Sequence, residues 1–357
     1  MNNRLNIQLG PKIVKGLSIE QISKLKNLKD MKVINQKNKK VIQKPLKTQG
    51  VTHNFIPRPD QKYLINLATD VKRIDFPEKG SFNPGLVKMP NSSDYIMVYR
   101  PDEYGFIGCK LDKELNPYSN SYFKFNITNC ADPRIIWTHD NKLLMVYSST
   151  TGVGLNLECI RGSIIMDLNK SESFLDSESF RISPEELNSR QKNWIPFLFE
   201  KEIYLIASIC PHIIYKLDLN SKQCVKMFEE TWSHPWMYPE LFLRGNTNPV
   251  LMEDGNFIST FHTATWYGKT CYYDNGCYVF EGKFPFKVLR CSNRTYLPAE
   301  GATEPHFRNL GRIACTFPVG MVLENNDLLI SYGDNDSVVK VMKVDLNKML
   351  SLTLDVF

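Results

Sequence analysis

Five short hydrophobic runs recur along this chain, and each begins with turn-forming or charged residues. The runs cover residues 94–100, 141–148, 201–208, 254–262 and 326–333. Each continues through about five β-prone residues, which is typical of a buried strand that follows a hairpin turn. Their starts lie 47 to 72 residues apart, the spacing of a four-stranded propeller blade with loop insertions. The pattern predicts an all-β fold, a five-bladed β-propeller.

Five blades around one axis would gather the polar ends of these strands at one mouth. Arg100 and His262 end two of the runs, and Asp336 follows a third. The predicted fold therefore brings these three residues into one pocket, although the sequence keeps them far apart.

Segments between the runs carry the candidate chemistry, and each has a plainer alternative. Asp132 precedes a proline, which favours extended geometry and fixes the direction of its carboxyl; the alternative is a turn-capping Asp paired with Arg134. Trp194 lies beside Lys192, a combination suited to a sugar ring and its hydroxyls; a core tryptophan is the alternative. Arg244 offers a planar fork to an oxyanion, or is a solvated residue of a surface turn.

Two further segments could either contribute to a binding site or simply form turns. Residues 83–85 read NPG, and residues 334–336 read DND. The second could bind sugar hydroxyls or a metal, but a calcium loop requires more oxygen ligands and a Glu at the right offset. We expect no metal. Nucleophile elbows, P-loops, dinucleotide fingerprints and paired-His zinc motifs do not occur in the sequence.

Composition is that of a soluble globular protein, with 42% hydrophobic and 23% charged residues among 357. No run of about 18 apolar residues occurs, so we expect no membrane span. The nine cysteines are scattered, which indicates reduced thiols and a cytoplasmic location.

The basic character of the chain belongs to its beginning. Residues 1–50 hold twelve Lys and Arg against two acidic residues, whereas the whole chain carries +6. We expect residues 1–60 to form a basic extension, partly helical from Ser18 onward or mobile, and residues 61–357 to form the propeller. Binding of nucleic acid or a membrane surface by the extension is the alternative. For the body we expect no nucleic-acid partner, and a homo-oligomer is left open.

The segments also resemble a known family. In chain order they are residues 83–85 with 99–100 (NPG, YR), 132–134 (DPR), 192–197 (KNWIPF), 245–250 with 261–262 (GNTNPV, FH), and 316–320 with 332–336 (TFPVG, YGDND). They are similar to motifs of glycoside hydrolase family 130, the β-mannoside phosphorylases and their hydrolase relatives, and of the related β-1,2-mannosyltransferase/phosphorylases. The resemblance runs from Asn83 to Leu350. Ala131 replaces the Glu of the family's Glu-Asp-Pro-Arg, which marks a divergent branch.

The resemblance implies a five-bladed propeller and a glycosyltransferase or phosphorylase that transfers a mannosyl or similar hexosyl unit with inversion. Asp132 would be the general acid or base. Phosphate, or the phosphate of a donor, would be bound by Lys192, Arg244 and His262. The substrate-binding residues would be Asn83, Arg100, Arg134, Trp194, Asn246 and Asp336, with Arg134 alternatively orienting the carboxyl of Asp132.

The same resemblance implies no cofactor, with inorganic phosphate or a sugar phosphate as co-substrate. The donor would be a sugar-1-phosphate or a nucleotide sugar, and the acceptor a monosaccharide or oligosaccharide. Two other functions stay open: an inverting β-mannoside hydrolase, and a non-catalytic propeller that binds carbohydrate or protein, since fold alone does not fix function.

Overall fold

A computed structural model describes the body of the chain over residues 63–101, 105–150, 158–184, 187, 191–235, 242–267, 270–306 and 313–356, together with three strands near its beginning. The chain divides into two compact units, Met1–Val51 and Thr52–Phe357.

In the first unit, three strands form one antiparallel sheet in the order β2-β1-β3. They are β1 (Leu5–Leu9), β2 (Lys12–Leu17) and β3 (Met31–Ile34). The sequence pattern does not predict these strands. The helix predicted from Ser18 and the predicted boundary at residue 60 both lie outside the described residues.

The second unit is built of β-strands, so the predicted all-β class is confirmed. Its first strand, β4 (Thr69–Ile74), pairs with a strand near the end of the chain. The next four strands form an antiparallel sheet in chain order: β5 (Phe82–Lys88), β6 (Tyr95–Arg100), β7 (Ile107–Leu111) and β8 (Phe123–Lys124).

Two further antiparallel sheets follow along the chain. The second sheet has the order β12-β11-β10-β9, with β13 also paired to β11; its strands are β9 (Cys130–Trp137), β10 (Lys142–Thr150), β11 (Glu158–Asp167), β12 (Ser171–Phe174) and β13 (Phe180–Arg181). The third sheet, in chain order, comprises β14 (Ile195–Phe199), β15 (Glu202–Ser208), β16 (His212–Asp218) and β17 (Gln223–Glu230).

The remaining strands form a ten-stranded sheet that includes β4. They are β18 (Arg244–Gly245), β19 (Val250–Leu251), β20 (Phe257–Tyr267), β21 (Thr270–Phe280), β22 (Val288–Ser292), β23 (Ile313–Glu324), β24 (Asp327–Asp334), β25 (Val338–Asp345) and β26 (Thr353–Asp355). A short parallel pairing of β21 with β23 joins two antiparallel groups. Because β4 pairs with β25 and β26 pairs with β22, the first and last described strands of this unit both belong to the sheet.

The described residues of this unit also include two short helical segments. Ala299–Gly301 is a 3₁₀ turn, and α1 (Leu346–Leu350) begins after Asp345, whose carboxylate accepts a hydrogen bond from the Lys348 nitrogen. Among the described residues, no helix has the length and apolar character that crossing a membrane requires.

The five hydrophobic runs correspond to strands β6, β10, β15, β20 and β24, so these five predicted strands are confirmed. These strands are buried on both faces, because hydrophobic clusters fill the space between neighbouring sheets. One cluster joins Val98 and Ile135 of the first two sheets, and another joins Tyr95 and Val341 of the first and last. Removing these faces from water is the main stabilisation of such a fold.

The early strands of successive sheets lie against one another. Strand β5 contacts β9 and β23, β9 contacts β14, and β18 contacts β15. Two glycines permit this approach: a Cβ atom at Gly85 would lie 2.6 Å from the Pro133 oxygen, and one at Gly320 would overlap the Leu86 nitrogen. Residues at the beginning of these strands are therefore brought close together, and the number of blades stays a prediction.

Candidate active site

A cavity of about 120 Å³ receives residues from the three smaller sheets and from the ten-stranded sheet of the second unit, or from loops next to them. The lining residues, in chain order, are Phe82, Asn83, Arg100, Asp132, Lys192, Asn193, Arg244, His262, Tyr273, Cys315, Phe317 and Asp336. Seven of the ten predicted site residues are among them. The other three, Arg134, Trp194 and Asn246, lie outside the lining.

Unusual backbone geometry turns several of these side chains into the cavity. Asn83, Asp132, Asn193 and Asp336 all have φ between 51° and 62°, the left-handed region that few residues other than glycine adopt. The strand pairing is irregular nearby, with register shifts between β5 and β6 and between β9 and β10. Such bulges redirect side chains next to functional sites. The extended geometry predicted for Asp132 from the following proline is wrong, because its φ is 60°.

Asp132 is buried, with 3% of the residue exposed. Its Oδ1 accepts a hydrogen bond of 2.8 Å from Nδ2 of Asn83, and Oδ2 lies 3.6 Å from Nζ of Lys192. No described donor lies within hydrogen-bonding distance of Oδ2. A buried acceptor that lacks a donor is costly, so this oxygen is suited to a substrate hydroxyl.

Opposing effects set the ionisation of Asp132. Burial raises the pKa of the carboxyl, but the positive charges of Lys192, Arg134 and Arg100 and the hydrogen bond from Asn83 outweigh it. The net result is a pKa below the ordinary value. Without substrate, Asp132 is therefore a carboxylate at neutral pH.

Arg134 supports the site without lining the cavity. Its guanidinium is buried and donates to three backbone oxygens, those of Asn246 at 2.7 Å, Gly245 at 3.0 Å and Asp132 at 3.1 Å. Burial lowers the pKa of Arg134 to about 10, against the opposing effect of the Asp132 charge. These contacts tie β9 to β18 and argue against the predicted substrate contact. They agree with the other predicted role, that of orienting Asp132.

Trp194 does not face the cavity. Its side chain is 1% exposed, its ring stacks on Tyr215 with centroids 4.8 Å apart, and Nε1 donates to Oε1 of Gln191. This placement argues against the predicted sugar-binding role and agrees with the core alternative. The preceding residue, Asn193, lines the cavity in its place.

Asn246 positions His262 through a chain of buried hydrogen bonds, and this placement argues against the predicted substrate contact. Nδ2 of Asn275 donates to the carbonyls of Leu297 and Thr316, so its Oδ1 must be the atom that accepts from Nδ2 of Asn246. Oδ1 of Asn246 then lies 2.6 Å from Nδ1 of His262. Because that oxygen can only accept, Nδ1 carries the proton.

The tautomer and the charge of His262 follow from this chain. Burial, followed by the charges of Arg244, Arg134 and Lys192, lowers the pKa of His262 well below its ordinary value. The ring is therefore neutral at pH 7, and its Nε2 has a lone pair. The predicted phosphate contact of His262 would therefore not involve a positive charge on the ring, because a neutral ring of this tautomer accepts hydrogen bonds through Nε2.

The remaining charges give the cavity a positive excess. Lys192, Arg244 and Arg100 line it against two carboxylates, Asp132 and Asp336. The Arg100 guanidinium lies 5.1 Å from the centroid of the Phe82 ring. Three cations beside two carboxylates are suited to one further anion, such as a phosphate.

Asp336 is held at the cavity by the loop that contains it. The neighbouring Asp334 is fully buried, lies 2.6 Å from Nζ of Lys340 and accepts hydrogen bonds from Thr303. His306 lies 4.0 Å from Asp336. In the part of the chain that the structure describes, no group of three or more His, Cys, Asp or Glu residues is arranged to hold a metal ion.

Five of the lining residues were not predicted from the sequence: Phe82, Asn193, Tyr273, Cys315 and Phe317. Four of them lie within or beside segments already singled out; at one, Asn193, the neighbouring Trp194 was predicted in its place. Tyr273 had no such signal. It is placed by the pairing of β21 with β20, and its ring stacks on His262 with centroids 5.1 Å apart.

Comparison with known proteins identifies the family. Residues 104–354 match the model of glycoside hydrolase family 130, described as beta-1,4-mannooligosaccharide phosphorylase. The match covers more than half of the chain, so the chain belongs to this family. No curated protein matches it at the level of sequence.

Solved structures are similar in fold. A beta-1,2-mannobiose phosphorylase from Listeria innocua, in complex with beta-1,2-mannobiose, is 12% identical, with a TM-score of 0.52 over 80% of this chain and 99% of that one. From Leishmania mexicana, a mannose phosphorylase in complex with phosphate ion is 9% identical and a GDP-Man-dependent mannosyltransferase 11% identical. Both have a TM-score of 0.53 over 78% of this chain and 89% of theirs.

Proposed function

We propose that this protein transfers a mannosyl unit, with inversion, between a sugar phosphate and a carbohydrate acceptor. Family membership supports mannoside phosphorylase chemistry in general. The observation that supports the specific reaction is the position of one buried carboxylate, Asp132, beside Lys192 in a cavity that also contains Arg100 and Arg244. A carboxyl group and an anion site are the two requirements of phosphorolysis.

In the synthetic direction, an acceptor hydroxyl attacks the anomeric carbon of the mannosyl phosphate. The bond from that carbon to the phosphate oxygen breaks, and phosphate leaves with the bonding electrons. The carboxylate of Asp132 receives the hydroxyl proton, directly or through a sugar hydroxyl. The lowered pKa of Asp132 supports this direction, because the group is already ionised.

In the degradative direction, phosphate attacks the anomeric carbon and Asp132 must supply a proton to the leaving oxygen. A phosphate dianion close to Lys192 would offset the positive charge that keeps Asp132 ionised. The pKa of the carboxyl would then rise, since a nearby anion favours the protonated form. Phosphate binding would thereby prepare the acid that the reaction needs.

The proposed roles of the other lining residues follow from their charges. Arg244 and Lys192 bind the phosphate, while Asn83, Arg100 and Asp336 bind the sugar at the reacting bond. His262, neutral and protonated on Nδ1, accepts a hydrogen bond from a sugar hydroxyl or from a protonated phosphate. No resident cofactor is needed for these steps.

The proposal includes the five-bladed propeller and a cytoplasmic location. The contacts among β5, β9, β14 and β23 support a ring of sheets around the cavity. All nine cysteines are free thiols, which supports a reducing compartment.

The test is a donor assay with the full chain. The protein is incubated with mannose and either mannose-1-phosphate or GDP-mannose, and disaccharide, phosphate and GDP are measured. We expect disaccharide and released phosphate from mannose-1-phosphate; product from GDP-mannose alone would instead indicate a conventional transferase.

A second incubation separates phosphorolysis from the other candidate functions. β-Mannobiose is supplied with and without inorganic phosphate, and we expect mannose-1-phosphate only when phosphate is present. Free mannose formed without phosphate would favour an inverting hydrolase. Binding of the sugar with no product in any of these incubations would favour a non-catalytic propeller.

A further inference from the structure

The hairpin of β20 and β21 extends well past the cavity. Its two strands pair continuously from Phe257 with Phe280 to Tyr267 with Thr270. The cavity residues His262 and Tyr273 lie near the middle of this ladder. The outer part of the hairpin therefore continues beyond the lining of the cavity.

One face of this outer part continues the wall of the cavity. Side chains two residues apart in a strand share a face, and so do directly paired residues of antiparallel strands. His262, Ala264 and Trp266 share one face of β20, and Ala264 is paired with Tyr273. Because His262 and Tyr273 line the cavity, Trp266 lies on the cavity side. Its side chain is 62% exposed, which is unusual for a large aromatic group.

The neighbouring segment repeats this arrangement. Arg244 lines the cavity and is paired with His262. Phe242 lies two residues before it, and Leu243 between them is buried in the hydrophobic core. Exposure therefore alternates over residues 242–244, which indicates that Phe242 lies on the same side as Arg244; Phe242 is 78% exposed. Two exposed aromatic rings, those of Phe242 and Trp266, thus lie next to cavity residues on adjacent stretches of backbone.

The spacing indicates what these rings could contact. Trp266 lies four residues beyond His262, or about 13 Å along the strand. That distance is too great for the sugar at the reacting bond, so the ring is within reach only of sugars further along a chain. Aromatic rings cover the apolar faces of sugars while the hydroxyls remain in water.

We propose that Trp266 and Phe242 form an aromatic platform that binds an oligosaccharide beyond the sugars at the reacting bond. The platform selects acceptors or substrates by chain length, and Trp266 is its main determinant. This inference rests on the proposed function, because it takes the cavity to be the place where the chain reacts.

The test is a series of acceptors of increasing length, from mannose to a β-linked mannotetraose, with mannose-1-phosphate as donor. For Trp266→Ala in the full chain, we expect kcat/KM to fall about two- to tenfold with the tetrasaccharide and to be unchanged with mannose. Trp266→Tyr should keep most of the native kcat/KM with the tetrasaccharide. Phe284→Ala is the control, since Phe284 is 53% exposed and lies beyond the opposite end of β21.

An equal loss at every chain length, or no loss at any, would overturn the platform. A direct binding measurement keeps the two proposals separate. If the protein transfers no sugar, the proposed function fails, yet calorimetry with mannotetraose still tests the platform: weaker binding by Trp266→Ala than by Phe284→Ala supports it, and equal binding refutes it.

Discussion

At the scale of single residues, Lys192 lowers the pKa of Asp132 and is the residue we propose to bind phosphate beside it. Its amine lies 3.6 Å from the carboxylate. In Lys192→Gln, the loss of this charge raises the pKa of Asp132, because the charged form loses a stabilising neighbour. The synthetic reaction needs the carboxylate, so we expect the acidic limb of the kcat/KM profile to move to higher pH.

The same variant should have a kcat/KM for the sugar phosphate that is about 10- to 100-fold lower, which is the loss typical of one charge-assisted hydrogen bond. The exposed Lys201 provides a matched control, and Lys201→Gln should leave both the pH profile and the rate unchanged. An unshifted acidic limb in Lys192→Gln would mean that Lys192 does not control the ionisation of Asp132.

His212 offers a test of stability away from the cavity. It is fully buried beside the rings of Tyr278 and Phe280, and burial lowers its pKa to about 3. The unfolded chain takes up a proton near pH 6.5, whereas the folded protein does not. The contribution of this group to stability is therefore complete above pH 6.5 and is lost as the pH falls below it.

His212→Leu removes this dependence. Relative to the native protein, the variant should gain about 2 kcal/mol of unfolding free energy between pH 8 and pH 5. Urea unfolding at the two pH values measures it, and His139→Leu at an exposed turn is the control. If the difference in unfolding free energy between His212→Leu and the native protein is the same at pH 8 and pH 5, His212 takes up a proton in the folded protein as readily as in the unfolded chain.

The sequence identified most of the charged residues that line the cavity, but it did not show which neighbouring side chain faces the cavity at residues 192–194. The segment at residues 192–194 was correctly marked, yet Trp194 was chosen over Asn193. The left-handed backbone at Asn193 turns that amide into the cavity and leaves Trp194 to pack on Tyr215. Asparagine adopts such geometry more readily than most residues, but the sequence does not show which asparagine does so.

At the scale of elements, the close approach of β5 and β9 positions β9, the strand that carries Asp132. A Cβ atom at residue 85 would lie 2.6 Å from the Pro133 oxygen, next to Asp132. We expect Gly85→Ala to lower the unfolding free energy by about 1–3 kcal/mol and to reduce kcat by displacing β9. Thermal unfolding and the donor assay measure the two effects.

Gly301→Ala is the matched control for this variant. Its Cβ atom would lie 3.1 Å from the flexible end of the Leu297 side chain rather than from backbone, so a small shift would accommodate it. If Gly85→Ala has the same melting temperature and kcat as Gly301→Ala, the close approach of Gly85 to the Pro133 oxygen does not position Asp132.

The strands themselves were predictable because their signal is local. A turn followed by β-prone residues marked β6, β10, β15, β20 and β24. The bulges that aim Asn83 and Asp132 depend on register with neighbouring strands, which no local pattern contains. The same holds for Tyr273, whose place depends on pairing across a hairpin.

At the scale of the whole molecule, the cavity belongs to one unit. All twelve lining residues fall within Thr52–Phe357, whereas residues 1–50 hold the basic excess. We expect a chain that begins at Thr52 to retain kcat and KM in the donor assay, although its net charge changes from +6 to −4. A large loss of activity with unchanged melting temperature would assign the first unit a part in the reaction.

The overall organisation was predictable only in part. The strand count gave the all-β class, and the order of motifs gave the family. The sequence did not reveal the sheet of β1, β2 and β3, because a Lys- and Asn-rich composition resembles a solvated segment. Nor did it reveal that β4 and β26 pair across long stretches of chain with β25 and β22.

The central claim is that the carboxyl of Asp132 transfers the proton in a mannosyl transfer that uses phosphate. The most direct test compares the native protein with Asp132→Asn in the reaction of mannose-1-phosphate with mannose, with circular dichroism and sugar binding as checks on the fold. We predict that the variant keeps its fold and binds sugar but forms disaccharide at least about 100-fold more slowly. Disaccharide formed at the native rate by the folded variant would contradict the account.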